Sequence, residues 1–252
     1  MRRCKGTRDL LPQDMARFRR IEGTFRSHCS RWGYQEVRTP TLEYLHLFIS
    51  TGTLTPSRLR RVYSFLDRDG WSGERVALRP EGTIPMARLY VDSLQQEELT
   101  RLCYVENAFS YEEMESEPRE RWQSGAELTG NSTPAADAEL ILLASQILAE
   151  IGCPGVELRL SHAGFLKALL NQLCPDRVME VLDQILDGNR GVLDEIASSI
   201  PEVNKFLPRL FEITGNSPAF LKNAKSSLVG VLPQLERSLD DFINVTELLT
   251  AA

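Results

Sequence analysis

No run in this 252-residue sequence stays apolar for the ~20 residues that a membrane-spanning helix needs, and the N-terminal MRRCKGTRDL has no apolar segment behind its charges. Neither a membrane span nor a secretory signal is expected, and a cytoplasmic location follows. Cysteine is present without a pattern. Cys4, Cys29, Cys103, Cys153 and Cys174 are odd in number, scattered and free of CxxC spacing, so reduced thiols, several of them buried, are expected rather than disulfides or a zinc site. Positive charge is also in deficit. A formal net charge of −6 gives no general affinity for a phosphate backbone, which weighs against tRNA as a partner and leaves only a local basic patch open. With 42% hydrophobic and 25% charged residues, the chain can bury a substantial core as one large domain or two smaller ones.

Positions 14–32 place Met15, Phe18, Ile21, Phe25, Cys29 and Trp32 at steps of three and four, one stripe of an amphipathic helix that Gly33 closes. Arg17, Arg19, Arg20 and Arg26 lie off the stripe and read as a solvated face, with an acidic partner surface as the alternative. His28 and His46 read as structural. A short strand interrupted by Pro40 is expected over 37–41, running into a helix or turn over 42–48, and 51–61 reads as a loop. Residues 62–67 and 75–79 flank Asp69-Gly70 and predict an antiparallel hairpin. Helices are expected over 84–94 and over 134–151, the latter with Thr133 as N-cap, Pro134 at its first position and Gly152 at its end. A strand over 156–160 leads to a helix opened by SHAGFLKALLNQL, in which His162 has two readings, ligand contact or cap. Beyond 167 the pattern turns wholly helical: 175–186, 191–198, 201–213, 218–227 and 232–249.

The stretch 77–130 organises the rest. Three strand-like runs, 75–79, 102–111 and 121–129, surround the polar residues Glu81, Thr83, Gln123 and Glu127, and predict a sheet floor with a polar pocket. In the third run Trp122, Ser124, Ala126 and Leu128 alternate with Gln123, Gly125 and Glu127, so its two faces differ. The densely charged segment 112–121 reads as a mobile, solvated hairpin loop.

These residues resemble motif 2 of the class II aminoacyl-tRNA synthetases in its histidyl version. RPEGT at 79–83 is similar to the amino-acid-binding signature of that family, and QSGAEL at 123–128 to the strand that reads substrate histidine. KGTRDLLP at 5–12 resembles the N-terminal segment, and GYQEVRTPTLEY at 33–44 resembles motif 1, the dimer-forming element. The resemblance implies an α+β fold, an antiparallel sheet flanked by helices, with a synthetase-like core over 1–166 and an all-helical insertion-like region over 167–252. It also implies a histidine pocket built from Glu81, Thr83, Gln123 and Glu127, anion contacts from Arg119 and Arg121, and a homodimer through 33–44 in which Tyr34, Val37 and Leu42 would otherwise lie on an open edge.

Two departures separate the chain from an active synthetase. No counterpart of the second histidine signature, a run of the type RGLDYYTG, follows, and neither does motif 3 or an anticodon-binding domain. Ser110 also stands where synthetases carry the arginine that neutralises the α-phosphate. A hydroxyl cannot supply that charge, a loss of several kcal/mol of transition-state stabilisation, and Glu112, Glu113, Glu115 and Glu117 add negative charge nearby. TIPMARL, RLCYVENAF and SHAGFLKALL are more similar to the family of ATP phosphoribosyltransferase regulatory subunits. Membership implies a non-catalytic protein without cofactor or metal that binds histidine, partners the short-form catalytic phosphoribosyltransferase and controls the first step of histidine biosynthesis. The alternatives are a histidyl-tRNA synthetase, intact or truncated, using ATP and magnesium, and a degenerate paralogue with no ligand.

Overall fold

The computed structural model describes residues 3–52, 54–67, 73–112, 117–153, 155–189, 191–192, 195–196, 217–230 and 233–252. The chain divides into two compact units, one of residues 1–132 and 139–156, the other of residues 133–138 and 157–252.

The first unit opens with helix α1, Pro12–Arg31, started by Pro12 and by the Asp14 carboxylate, which accepts from the Leu11 N–H at 3.1 Å. Gly33 ends it at φ +82°. Its buried face carries Glu22, Phe25, His28 and Cys29, whereas Ile21, expected on the stripe, is 47% exposed. Arg26 pairs with both Glu22 and Glu36, and Arg19 with Glu22, so half of the expected solvated arginines are held within the chain.

The central strands are β5, Thr100–Phe109, and β6, Glu120–Thr129, an antiparallel pair of ten residues each, and β1, Gln35–Glu36, adds to β5 in parallel. The register puts Leu102, Tyr104 and Glu106 on the same face as Glu127, Gly125 and Gln123, so the two faces do differ as the alternation predicts. The opposite face presents Cys103, Val105, Ala126 and Leu128 to Phe25 and Cys29 of α1 and to Leu143 and Ile147 of helix α5, Pro134–Glu150. Polar contacts fix that seam: His28 Nε2 lies 2.7 Å from a Glu150 oxygen, and Glu139 accepts from Tyr34 and from Arg101.

A second three-stranded sheet runs in the order β2 (Leu42–Tyr44), β4 (Arg75–Leu78), β3 (Ser64–Leu66) and is antiparallel throughout, with helix α2, Leu45–Ser50, following β2. The three runs around the pocket are therefore not one floor. The sheets meet where the Phe109 N–H donates to the Arg79 carbonyl at 2.9 Å. No strand forms over 37–41, because the Thr39 N–H is taken by the Glu106 carboxylate instead of a ladder partner. The segment 51–61 is not wholly loop, since Thr55 caps a short helix α3, Pro56–Leu59. Asp69-Gly70 lies outside the described residues.

Helix α4, Thr83–Leu89, continues into a π-helical turn, Tyr90–Leu94. The second unit is helical. It comprises α6 (Ala163–Leu173), α7 (Val178–Leu186), α8 (Pro218–Leu228) and α9 (Glu236–Ala251), packed around Leu169, Leu170, Val181, Leu235 and Leu239. The helix expected over 201–213 and most of that over 191–198 lie outside the described residues. Residues 156–160 alternate as a strand would, yet pair with no other described strand and form none. Among the described residues no helix is long and apolar enough to cross a membrane, no acidic, His or Cys cluster has metal-site form, and all five cysteines are free.

Candidate functional site

The turn between β4 and α4 carries Arg79-Pro80-Glu81-Gly82-Thr83. Arg79 does not reach toward a ligand. Its guanidinium is buried, 2.8 Å from the equally buried Glu106, and donates to the Asn107 carbonyl, the Thr39 carbonyl and the Pro40 carbonyl. Burial pulls the Arg79 pKa below its ordinary value and the Glu106 charge opposes that pull. Glu106 uses its remaining capacity on the Thr39 N–H and hydroxyl. One ion pair thus ties the turn to segment 39–40 and to β5.

Glu81 accepts from the N–H groups of Thr83 (2.7 Å) and Ile84 (2.8 Å), so its carboxylate closes the first turn of α4. Gln123 accepts from the Gly82 N–H at 3.0 Å, binding β6 to the same turn. Thr83 neighbours both Glu127 and Tyr104 and opposes the upward shift of each. The four residues predicted from sequence therefore converge on one face of the β5–β6 pair. Glu127 is held above the usual carboxylate range by burial, with Thr83 opposing the shift and Glu81 adding to it. No cationic side chain pairs with Glu127 among the described residues.

Tyr104 is the residue that inspection of the sequence misses. It stands opposite Gly125 in the ladder and is 1% exposed, with its ring threaded between Gly82 and Gly125, where a Cβ at either glycine would overlap it. Burial pushes its hydroxyl up to about 12. A glycine inside a strand is the legible sign of such close approach.

Arg119 and Arg121 are placed differently from one another. Arg119 donates twice to the Glu112 carbonyl, lies 4.6 Å over the Tyr111 ring and, through its own N–H, binds the Gly6 carbonyl, so it anchors the N-terminal segment to β6. Arg121 is half-exposed and 3.9 Å from the buried Glu112 carboxylate, which also receives Arg61 and the Ser110 hydroxyl. Residues 113–116 of the charged hairpin lie outside the described residues. Of the histidines, His162 takes the capping role, its Nδ1 accepting from the Phe165 N–H at 3.1 Å, while His46 stacks on Tyr44.

A three-stranded sheet of mixed direction, with α1 and α5 packed on one face and Glu81, Thr83, Gln123 and Glu127 gathered toward the other, fits the catalytic-core fold of the class II aminoacyl-tRNA synthetases. The histidyl-tRNA synthetase family model matches residues 6–252, and the chain belongs to that family. ATP phosphoribosyltransferase regulatory subunits from two strains of Dehalococcoides mccartyi are 53% identical over 98% of this chain, which spans 60% of their length. A histidine–tRNA ligase of Archaeoglobus fulgidus is more distant, 37% identical over 84% of this chain and 51% of its own. The crystal structure of a Bacillus halodurans ATP phosphoribosyltransferase regulatory subunit/histidyl-tRNA synthetase superposes with a TM-score of 0.84 at 25% identity, covering 99% of this chain and 64% of that one.

Proposed function

We propose that this chain is the histidine-binding part of a non-catalytic ATP phosphoribosyltransferase regulatory subunit that assembles with the short-form catalytic subunit. The observation that carries the reading is Glu127, a half-buried carboxylate that pairs with no cation among the described residues, beside Thr83 and under the turn held by Gln123. Such a group favours a ligand that brings its own ammonium. A charge-assisted bond of that kind contributes about 1.5–3 kcal/mol. Glu127→Ala is therefore expected to weaken histidine binding about tenfold or more in calorimetric titration, with Ser110→Ala leaving it unchanged. No heat and no thermal shift from millimolar histidine with the parent chain would remove the ligand. Co-purification with the short phosphoribosyltransferase, assayed with and without histidine, tests the partner.

The synthetase reading keeps one point in its favour, the intact RPEGT turn. Against it, Ser110 is buried and its hydroxyl donates to Glu112 at 3.2 Å, so the position offers a triphosphate a carboxylate's neighbourhood instead of a guanidinium. Histidine-dependent ATP–pyrophosphate exchange is expected to stay at the level of a buffer blank. Exchange above it would restore the ligase.

The homodimer through 33–44 belongs to the same proposal, with its contact residues revised. Tyr34 and Val37 turn inward, Tyr34 to Glu139 and Val37 to Met86 and Leu102. The outward residues are Leu42 (48% exposed) and Tyr44 (42%), and the register aligns Tyr44 with Val76 and Phe65 (47%) across the second sheet. Three large apolar side chains on one sheet face suit a two-fold boundary. Tyr44→Glu with Phe65→Glu should give a folded monomer in light scattering. A dimer mass unchanged by both would take this face out of the interface.

A further inference from the structure

The anion contacts expected of Arg119 and Arg121 are taken up by the chain itself. Arg61 Nη1, just beyond α3, donates to Glu112 Oε2 at 3.0 Å, the Ser110 hydroxyl donates to Oε1 at 3.2 Å, and Arg121 Nη2 stands 3.9 Å from that same oxygen. The two arginine side chains come from separate segments and are 53% and 51% exposed, whereas the Glu112 side chain is 6% exposed. Water can serve arginines so placed, but a carboxylate so deeply buried needs its partners. The main chain holds it there. The Tyr111 N–H donates to the Arg61 carbonyl at 2.7 Å, and Arg119 donates to the Glu112 carbonyl through Nε at 2.9 Å and Nη2 at 2.7 Å, so the backbone is fixed on both sides of the carboxylate. Two guanidinium forks and a hydroxyl around one point form a donor set that suits a carboxylate and a phosphate group alike.

We propose that Glu112 is the resident anion of an oxyanion cradle formed by Arg61, Arg121 and Ser110, an autoinhibitory contact in which the chain's own carboxylate stands where a phosphate or pyrophosphate group would otherwise sit. With Glu112 in place the cradle carries one net positive charge instead of two, and its hydroxyl proton is already spent. An incoming polyanion must displace a carboxylate that the backbone holds in position, so phosphate-bearing ligands are kept off this end of the β5–β6 pair. The cradle is independent of the histidine reading. Glu112 follows Phe109 at one end of the ladder, whereas Glu127 pairs with Leu102 toward the other, so the failure of either reading leaves the other standing.

Glu112→Gln keeps the shape and an acceptor for Ser110 and removes the charge. Calorimetric titration with inorganic pyrophosphate at low ionic strength should show binding to Glu112→Gln that is tighter than to the parent by about tenfold or more, together with a thermal shift in the variant that the parent lacks. Adding Arg61→Gln and Arg121→Gln to Glu112→Gln should abolish the gain. Equal affinity in the parent and in Glu112→Gln, whether weak or strong, overturns the proposal. A gain that survives the loss of both arginines overturns it too, because the anion then sits elsewhere. If Glu112→Gln does not fold by itself, dilution from urea with and without pyrophosphate decides: native circular dichroism recovered only with the anion supports the cradle, and failure in both overturns it.

Discussion

Arg79→Met should destabilise the chain by about 3–5 kcal/mol, the cost of leaving a buried carboxylate without its partner, against a total stability of about 5–15 kcal/mol for an ordinary domain. The burden falls on Glu106, which is as deeply buried as Arg79 and would keep only Thr39 as donor. Asn107, Thr39 and Pro40 would each lose a guanidinium donor to a main-chain carbonyl. Urea and thermal denaturation followed by circular dichroism measure the effect. The double variant Arg79→Met with Glu106→Leu should recover much of the loss, because the orphaned charge goes with its partner and only the carbonyls remain unserved. A single variant that melts with the parent would show that water reaches the pair.

Gly125→Ala should destabilise the chain as well, by a smaller amount and through a different route. A methyl at Gly125 overlaps the Tyr104 ring, and Gly125 sits in the middle of a ten-residue ladder that pins its backbone to β5. The ring must therefore leave its slot. Overpacking of this kind costs about 1–3 kcal/mol, and on the histidine-binding reading a ring pushed against Gly82 disturbs the turn that carries Glu81 and Thr83 and weakens histidine binding as well. Tyr104→Leu in the Gly125→Ala background should restore melting temperature. Gly82→Ala meets the same ring from a turn, where the chain has more room to adjust, so a smaller loss is expected. Equal melting of Gly125→Ala and the parent would show that the slot is wider than the ring.

Local pattern carried much of the fold. The 3.6-residue stripe of α1 and the period-two alternation of β6 are legible because each element buries one face against a neighbour, and α5 is legible from Pro134 and Gly152 at its ends. Glu81, Thr83, Gln123 and Glu127 stand out in the sequence as polar groups in apolar surroundings, and the structure brings them to one face of the β5–β6 pair. What local pattern cannot carry is a pairing between distant residues. Arg79 reads as part of a ligand-binding turn until Glu106 is seen beside it, and 37–41 reads as a strand until that same carboxylate claims the Thr39 N–H. Residues 156–160 have the right alternation, but a strand is defined by a ladder, and no described strand pairs with them. Ile21 keeps the spacing of the stripe and still faces water, because Glu22 and His28 are drawn inward by partners at Arg19, Arg26 and Glu150.

The seam between α1 and α5 governs the order in which the first unit can be made. His28 meets Glu150 across 122 positions of chain, Trp32 meets Gln146 across 114, and Phe25 and Cys29 share their core with Leu143 and Ile147. Contacts so distant in sequence are slow to form, since the loop must close before any of them is rewarded. On the ribosome, α1 emerges ahead of β5, β6 and α5 and has no apolar cover until they have followed it out. The nascent unit therefore spends most of its synthesis with the Phe25–Cys29 face uncovered, which makes it a natural client for chaperones and leaves truncations ahead of Leu143 prone to aggregate rather than fold in part.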